Sequence, residues 1–342
     1  MKIALDAMGG DKAPFEPVKG AVASLETSPG LRVALVGKKE LLEAELAKYR
    51  FDKDRMEIID SREVILMDDE PISAVKNKKD SSMKRTLELV KEGYADAAVS
   101  AGNTGALIAA SQLTLKRIRG VLRPAIAATF PQKKGGHMVV LDVGATADCK
   151  AEFLNQFAVM GSFYMEILFG IKNPKVGLLN IGAEEGKGNE LTRDAYGLLS
   201  QNKKINFLGN IESTVFLDGV VDVVVTDGFT GNMVLKTSEG IAKFIHATLK
   251  KEMKWNPLTI LGTILMIPFF KILKKKLDSS EYGGAMFLGL NGLSIKAHGN
   301  SDHVGIKNAI KVANKFAEMR FVEELRKVIG IQMEDRPAEE EE

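Results

Sequence analysis

Short apolar runs that each close on a glycine-bearing polar loop recur along the chain, and they restrict its fold more than any other feature. KIALD (2–6) opens into AMGGDK (7–12), and an apolar run at 97–100 into SAGNTGA (100–106). VGLLN (176–180) opens into NIGAEEGKGNE (180–190), and an apolar run at 221–225 into TDGFTGN (226–232). Further runs at 32–37, 56–60, 125–130, 138–143, 205–208 and 293–296 read as strands. Between them, helical patterns occupy 15–25, 39–49, 81–92, 104–115, 152–168, 190–200, 233–251 and 304–327, with Ser81 as a cap for the third. Residues 61–80 read as an irregular polar stretch. Buried strands alternating with helices predict a three-layer α/β fold, a mostly parallel sheet with helices on both faces. Residues 1–330 read as a single α/β catalytic domain, and 331–342 as a disordered acidic tail.

Composition removes several function classes. A net charge of +2 over 342 residues gives no global attraction to nucleic acid, so no nucleic-acid partner is expected. The single cysteine, Cys149, excludes an intrachain disulfide and a cysteine-cluster metal site, and fits a reducing cytosol. The four histidines (137, 246, 298 and 303) show no ligand spacing, so no metal and no cofactor are expected. The start MKIALDAMGGD is too short in its apolar part for a secretory signal.

The loops carry the chemistry. Strand, glycine loop and helix start together make an anion site, because free N–H groups and the helix dipole favour negative charge. Glycines 182, 186 and 188 surround Lys187, which adds a full positive charge there. One such loop is an ordinary βα turn. Four of them in a parallel sheet predict convergence on one crevice beyond the strand ends. The nucleotide fingerprints are missing: GAEEGKG has one residue too few for a P-loop, and Gly188 stands where Ser or Thr should follow the lysine. GKGNEL fails the dinucleotide pattern at its last position. Lys187 and Asn232 are the cation and the amide that two of these loops offer to a bound anion. Gly9, Gly10, Asp11, Gly102, Asn103, Thr104, Gly186, Gly188, Asp227, Gly228 and Thr230 are the candidate phosphate or substrate contacts. Cys149, ahead of a helix and beside Lys150, has a nucleophile reading, but a structural one suits a lone cysteine better. His298 is set near the loops with no assigned role.

Residues 250–277, KKEMKWNPLTILGTILMIPFFKILKKKL, differ in kind. The apolar part is too short and too broken by Pro268 to span a bilayer, which takes about 18 or more residues. Bordered by lysines, it predicts an amphipathic hairpin inserting at an anionic membrane surface through Trp255, Leu258, Ile260, Leu261, Ile264, Leu265, Phe269 and Phe270. A core or dimer-interface helix is the competing reading, and it leaves the flanking lysines without purpose.

From IALDAMGGD (3–11) through SAGNTGA, LDVGA (141–145), NIGAEEGKGNE, TDGFTGN and HGNSD (298–302), the chain resembles the bacterial phosphate acyltransferases of phospholipid synthesis. The resemblance implies formation of acyl-phosphate from acyl-acyl-carrier-protein and inorganic phosphate. It implies a fold similar to the isocitrate/isopropylmalate dehydrogenase type, and a cytoplasmic homodimer peripherally bound to the inner face of the cell membrane. It also implies delivery of product to a membrane-embedded glycerol-3-phosphate acyltransferase. The residues suit such chemistry: phosphate is already anionic and a thiolate leaves readily, so orientation and oxyanion stabilisation are the main needs. Two other readings stand beside it. A metal- and NAD-dependent decarboxylating dehydrogenase would need clustered carboxylates and arginines, which the loops lack; a non-enzymatic membrane-surface scaffold would reduce the loops to turns.

Overall fold

The computed structural model describes residues 1–252, 262, 265–267, 269 and 283–334. The chain opens with β1 (Lys2–Asp6), α1 (Phe15–Thr27), β2 (Arg32–Gly37), α2 (Lys39–Leu46) and β3 (Met56–Asp60). It continues through α3 (Pro71–Asn77), α4 (Ser82–Lys91), β4 (Ala97–Ser100), α5 (Thr104–Leu115), β5 (Ala125–Pro131) and β6 (His137–Leu141). Next come α6 (Ala151–Phe169), β7 (Lys175–Asn180), α7 (Glu190–Gln201), β8 (Asn206–Glu212), β9 (Val223–Val225) and α8 (Gly228–Glu252). After the segment at 253–282, β10 (Ala285–Leu288), β11 (Leu293–Lys296), α9 (His303–Glu318) and α10 (Phe321–Glu334) complete the described chain.

The strands form one sheet in the order β3-β2-β1-β4-β11-β10-β5-β6-β9-β7-β8, with helices on both faces as the alternation predicts. Small and β-branched side chains let both faces be covered: Ala97, Val99, Val139, Val223 and Val225 are all fully buried. Close packing reaches the backbone at Gly161, where a Cβ would lie 2.5 Å from Leu141 Cδ1 and 2.7 Å from Val223 Cγ1. That glycine lets α6 sit directly on β6 and β9. Gly170 then ends α6 in a left-handed conformation, its N–H returning to Glu166 O and Met165 O.

The sheet is not uniformly parallel, and this changes the geometry of the site. Strands β3, β2, β1, β4 and β11 share one direction. Strand β10 is antiparallel to both β11 and β5, and β5 is antiparallel to β6. These three reversals turn the second block, β6, β9, β7 and β8, against the first. The loops AMGGDK, SAGNTGA and HGNSD therefore leave one end of the strands, and LDVGA, TDGFTGN and NIGAEEGKGNE leave the other. The predicted convergence of all the glycine loops on one set of strand ends is corrected accordingly.

Four local expectations also differ. The 61–80 stretch contains α3, started by Pro71 in its first turn and capped by the Glu70 carboxylate, which accepts from the N–H groups of Ile72 and Ser73. Ser81 occupies the cap position of α4, but its side chain makes no capping bond. The final helix breaks into α9 and α10 at Arg320, which adopts a positive φ of 50°. Phe321, turned inward by that break, packs its ring 4.8 Å from Phe316. Lastly, TDGFTGN is not an open loop: α8 already begins at Gly228.

Candidate active site

The first block supplies a buried carboxylate cradle. Asp6, ending β1, is fully buried and accepts from Ser100 Oγ at 2.7 Å and from the Met8 N–H at 3.3 Å. Burial pushes its pKa up, against the hydrogen bonds from Ser100, Ser82 and the backbone. Gly9 is obligatory here, since a Cβ would meet Asp6 Oδ2 at 2.5 Å and Gly102 N at 2.8 Å. The Asp11 N–H donates to Gly299 O at 2.9 Å, and a Cβ on Gly10 would meet the same carbonyl at 2.9 Å. AMGGDK, SAGNTGA and HGNSD thus touch one another. Asn103 spends its side chain structurally: Oδ1 accepts from the Ala106 N–H, and Nδ2 donates to Met67 O and Asp69 O. Thr104 opens α5 beside it and is exposed.

The second block is organised by Asp142, a residue the sequence reading passed over as a lone strand-end acid. It is fully buried, and its carboxylate accepts from the N–H groups of Ile126, Gly144, Ala145 and Thr146 at 2.7–3.1 Å. Burial still outweighs these bonds and raises its pKa. The first turn of α8 sits on this loop. A Cβ on Gly228 would lie 2.5 Å from Thr146 O, and one on Gly231 would lie 1.9 Å from Asp142 O. Asp227 caps the helix, accepting from the Thr230 N–H at 2.8 Å and from Thr230 Oγ1 at 2.7 Å. Asn232 is exposed in the next position, with its side chain 3.6 Å from where a Cβ on Gly144 would stand.

Helix α8 joins the two blocks. Asn232, Lys236 and Glu239 follow one another at helical spacing on one face. Glu239 Oε2 lies 3.2 Å from Lys236 Nζ and 3.6 Å from His298 Nε2 in HGNSD. Behind them Lys296, only 8% exposed at the end of β11, donates to Ala101 O at 3.3 Å and so ties SAGNTGA to HGNSD. Burial pulls the Lys296 ammonium down to about 8, with Lys236 adding to the effect against Asp6, Asp11 and Glu239. None of Asp6, Lys236, Glu239 or Lys296 was picked out in the sequence; their significance lies in a helix crossing between strand blocks, which no spacing in the chain reveals.

Burial alone would raise the Glu239 carboxyl, but His298 and Lys236 outweigh it and hold it down at about 2. A depressed carboxyl contributes stability that is present above its unfolded pKa, near 4.5, and fades as pH falls toward 2. Glu239→Gln is therefore expected to flatten the loss of melting temperature between pH 4.5 and pH 2. A wild-type slope in that window would contradict the assigned coupling.

Lys187 emerges from β7, whose neighbour β9 leads into α8, so its loop and the α8 first turn leave adjacent strands at the same end. The lysine is exposed, with its stem against Gly182. Among the described residues, the loop's hydrogen bonds stay within itself, α7 and β8: Asn180 Nδ2 donates to Lys187 O at 3.0 Å and Asn210 Nδ2 to Glu184 O at 2.7 Å. Gly188 (φ +97°) fits because a Cβ would meet Thr192 Oγ1 and Asn180 Oδ1; Gly186 is open on all sides. The ammonium thus has no side-chain partner among the described residues and is available to an anion. Cys149, by contrast, donates its thiol to Thr146 O, and burial with the nearby Asp142, Asp227 and Asp148 pushes it up to about 11. The thiol stays protonated at neutral pH, which removes it as a nucleophile.

Of the predicted membrane-docking residues, Leu265 and Phe269 are described, both exposed in helical backbone. Trp255, Leu258, Ile260, Leu261, Ile264 and Phe270 lie outside the described residues; of the acidic tail expected at 331–342, residues 331–334 belong to α10 and the rest lie outside the described residues. No described helix is long and apolar enough to cross a membrane.

The fold is that of the phosphotransacetylases. The enzyme from Streptococcus pyogenes superposes with a TM-score of 0.62 at 19% identity, covering 93% of this chain and 94% of that one. A 4-hydroxythreonine-4-phosphate dehydrogenase from Klebsiella pneumoniae shares the architecture more distantly, with a TM-score of 0.51 at 15% identity over 92% and 98% of the two chains. Residues 1–324 match the fatty acid synthesis protein family, and the chain belongs to that family. Among its relatives, the phosphate acyltransferase of Fusobacterium nucleatum is 60% identical over 97% of this chain and 100% of its own. That of Dictyoglomus thermophilum is 49% identical over 94% and 95%. The protein is an acyltransferase of lipid synthesis.

Proposed function

We propose that the protein transfers the acyl group of an acyl-acyl-carrier-protein to inorganic phosphate, releasing acyl-phosphate and the carrier thiol. A phosphate oxygen attacks the thioester carbonyl, the tetrahedral oxyanion collapses, and the C–S bond breaks with the electron pair leaving on sulfur. Thiolate is a good leaving group and phosphate is anionic at neutral pH, so neither an enzymic nucleophile nor a strong base is required. Lys187 supplies positive charge to the phosphate or the oxyanion, and Asn232 donates its side-chain N–H to the oxyanion. Gly186, Gly188 and the capped turn at Asp227, Gly228 and Thr230 shape the anion's surroundings on the second block, while Gly9, Gly10, Asp11, Gly102 and Thr104 line the strand ends of the first, which α8 reaches through Glu239 and His298. Asn103 acts there by holding its own loop. The observation that carries this reading is the pairing, on adjacent strands, of a lysine without a partner among the described residues with the start of α8, where Asn232 stands exposed. The relatives named phosphate acyltransferases support it.

The test is direct. Purified protein mixed with acyl-carrier protein and phosphate is expected to form an acyl-phosphate that hydroxylamine traps as the hydroxamate. Thioester that persists in the presence of phosphate would refute the assignment.

The same reading places the enzyme in the cytoplasm as a homodimer, docked on the inner face of the cell membrane and handing its product to a membrane-embedded glycerol-3-phosphate acyltransferase. Leu265 supports the docking: it is 75% exposed, beside exposed Met266 and Ile267 in a lysine-bordered segment. Leu265→Glu should weaken sedimentation with anionic vesicles several-fold while activity in solution stays at the wild-type level. Unchanged sedimentation would assign this apolar surface to protein contacts.

A further inference from the structure

One face of the first block carries a feature that the catalytic residues do not use. A groove of about 400 Å³ runs between α3, α4 and the last turn of α5. Lys76, Lys84 and Lys91 stand around it, with Leu113 and Thr114 on the α5 side. Its one acidic lining residue, Glu88, is occupied by Arg85 at 3.5 Å, and Arg85 also holds Glu92 at 3.1 Å. Lys76, Lys84 and Lys91 have no ion-pair partner among the described residues. Arg85 thus offsets part of the charge of Glu88, and three lysines against that one carboxylate leave the groove net positive.

Apolar surface lies among those charges. Leu113 is 62% exposed, and Ile72, 57% exposed, precedes Lys76 by one turn on the same face of α3. Exposed large apolar side chains within a single-sign charged rim mark a protein contact rather than a small-ion site. The complementary surface is an amphipathic helix whose acids meet the lysines and whose apolar residue meets Leu113. The groove runs beside α4 from Lys84 in its first turn to Lys91 in its last, and meets α5 at its final turn. From Asn103 to Leu113 is roughly 15 Å along α5. A partner seated there stands on the first block while Lys187 and Asn232 stand on the second, so it reaches them only with a long flexible arm.

We propose that this groove is the docking surface for the acidic carrier protein, which lies on α3, α4 and α5 and sends its thioester arm toward α8. The inference rests on the acyl-transfer reading above and specifies its protein partner's seat. Electrostatic docking of this kind acts mainly on encounter, so it shows in KM and salt dependence more than in turnover.

The test compares full-length wild type with Lys84→Glu/Lys91→Glu, and with the milder Lys76→Gln/Lys84→Gln/Lys91→Gln, each checked for unchanged melting. Binding of fluorescent carrier protein is read by anisotropy and KM by turnover, at low and high salt. The expected result is an affinity loss and a KM increase of about tenfold or more for the carrier substrate at low salt, shrinking at high salt. KM for phosphate and turnover of a small acyl-pantetheine thioester should not move. Equal carrier affinity in both variants overturns the proposal, as does a loss confined to anionic vesicles, which would assign the lysines to the membrane. If wild type transfers no acyl group from either thioester, the catalytic reading fails instead, while anisotropy still decides the groove.

Discussion

Replacing Lys187 with alanine should lower turnover by about 10²–10³ or more, the usual cost of losing a group that stabilises charge in the transition state, with melting unchanged. The two halves of that expectation come from one fact. Lys187 is exposed, its stem lies against Gly182 of its own loop, and its backbone carbonyl holds the loop through Asn180. Alanine keeps the carbonyl and removes the ammonium. Lys187→Arg, which keeps charge but alters its shape and reach, should recover only part of the rate. Near-normal turnover in the alanine variant would remove Lys187 from the chemistry, and a collapse in melting temperature would make it a structural residue.

Gly231→Ala should disable the protein by a different route. A Cβ there would stand 1.9 Å from Asp142 O and 3.0 Å from Thr226 Cγ2. Neither neighbour can yield cheaply, because Asp142 N donates to Thr226 O and Thr226 N to Leu141 O, while the Asp142 carboxylate fixes the following loop. Helix α8 must lift instead, carrying Asn232 off its position. The expected destabilisation is about 3 kcal/mol, the upper part of the range for overpacked sites, together with a loss of turnover well beyond what unfolding explains. Gly240→Ala in the same helix is the control. Its Cβ meets nothing within 4 Å, so it should be neutral or gain up to about 1 kcal/mol of helix propensity. Equal melting curves for the two variants would show that the α8 first turn is not seated as described.

These two substitutions also show what could be read without the structure. Lys187 and Asn232 stand in glycine-rich strings at the ends of apolar runs, and that local pattern makes them visible. The layer architecture was legible for the same reason, since buried Val and Ala runs alternate with amphipathic helices. The reversal of the second block was not, because it depends on β10, a four-residue strand inside a glycine-rich stretch, and on the antiparallel placement of β5. Missing it made all the glycine loops seem to share one set of strand ends. Helix α8 resolves the difficulty by starting earlier than its sequence pattern indicates and reaching from Asp142 to His298. The side chains it gathers, Lys236, Glu239 and Lys296, sit in ordinary strand and helix positions; only the crossing of α8 over the β11 loop gives them a role. Asp6 and Asp142 were hidden differently. A carboxylate at a strand end reads as a turn residue, and its burial is set by the loops that fold over it.

The central claim is that phosphate itself attacks the thioester, in a site built from Lys187, Asn232 and backbone, with no acyl-enzyme on the way. The half-buried Cys149, with its thiol held protonated, is the residue whose reactivity would contradict it. Rapid mixing of micromolar enzyme with acyl-carrier protein, with free carrier thiol followed through the first turnover, tests this most directly. Without phosphate, no thiol should appear; with phosphate, thiol and acyl-phosphate should rise together from zero at equal rates. A burst of thiol equal to the enzyme concentration in the absence of phosphate, lost in Cys149→Ala, would contradict the account.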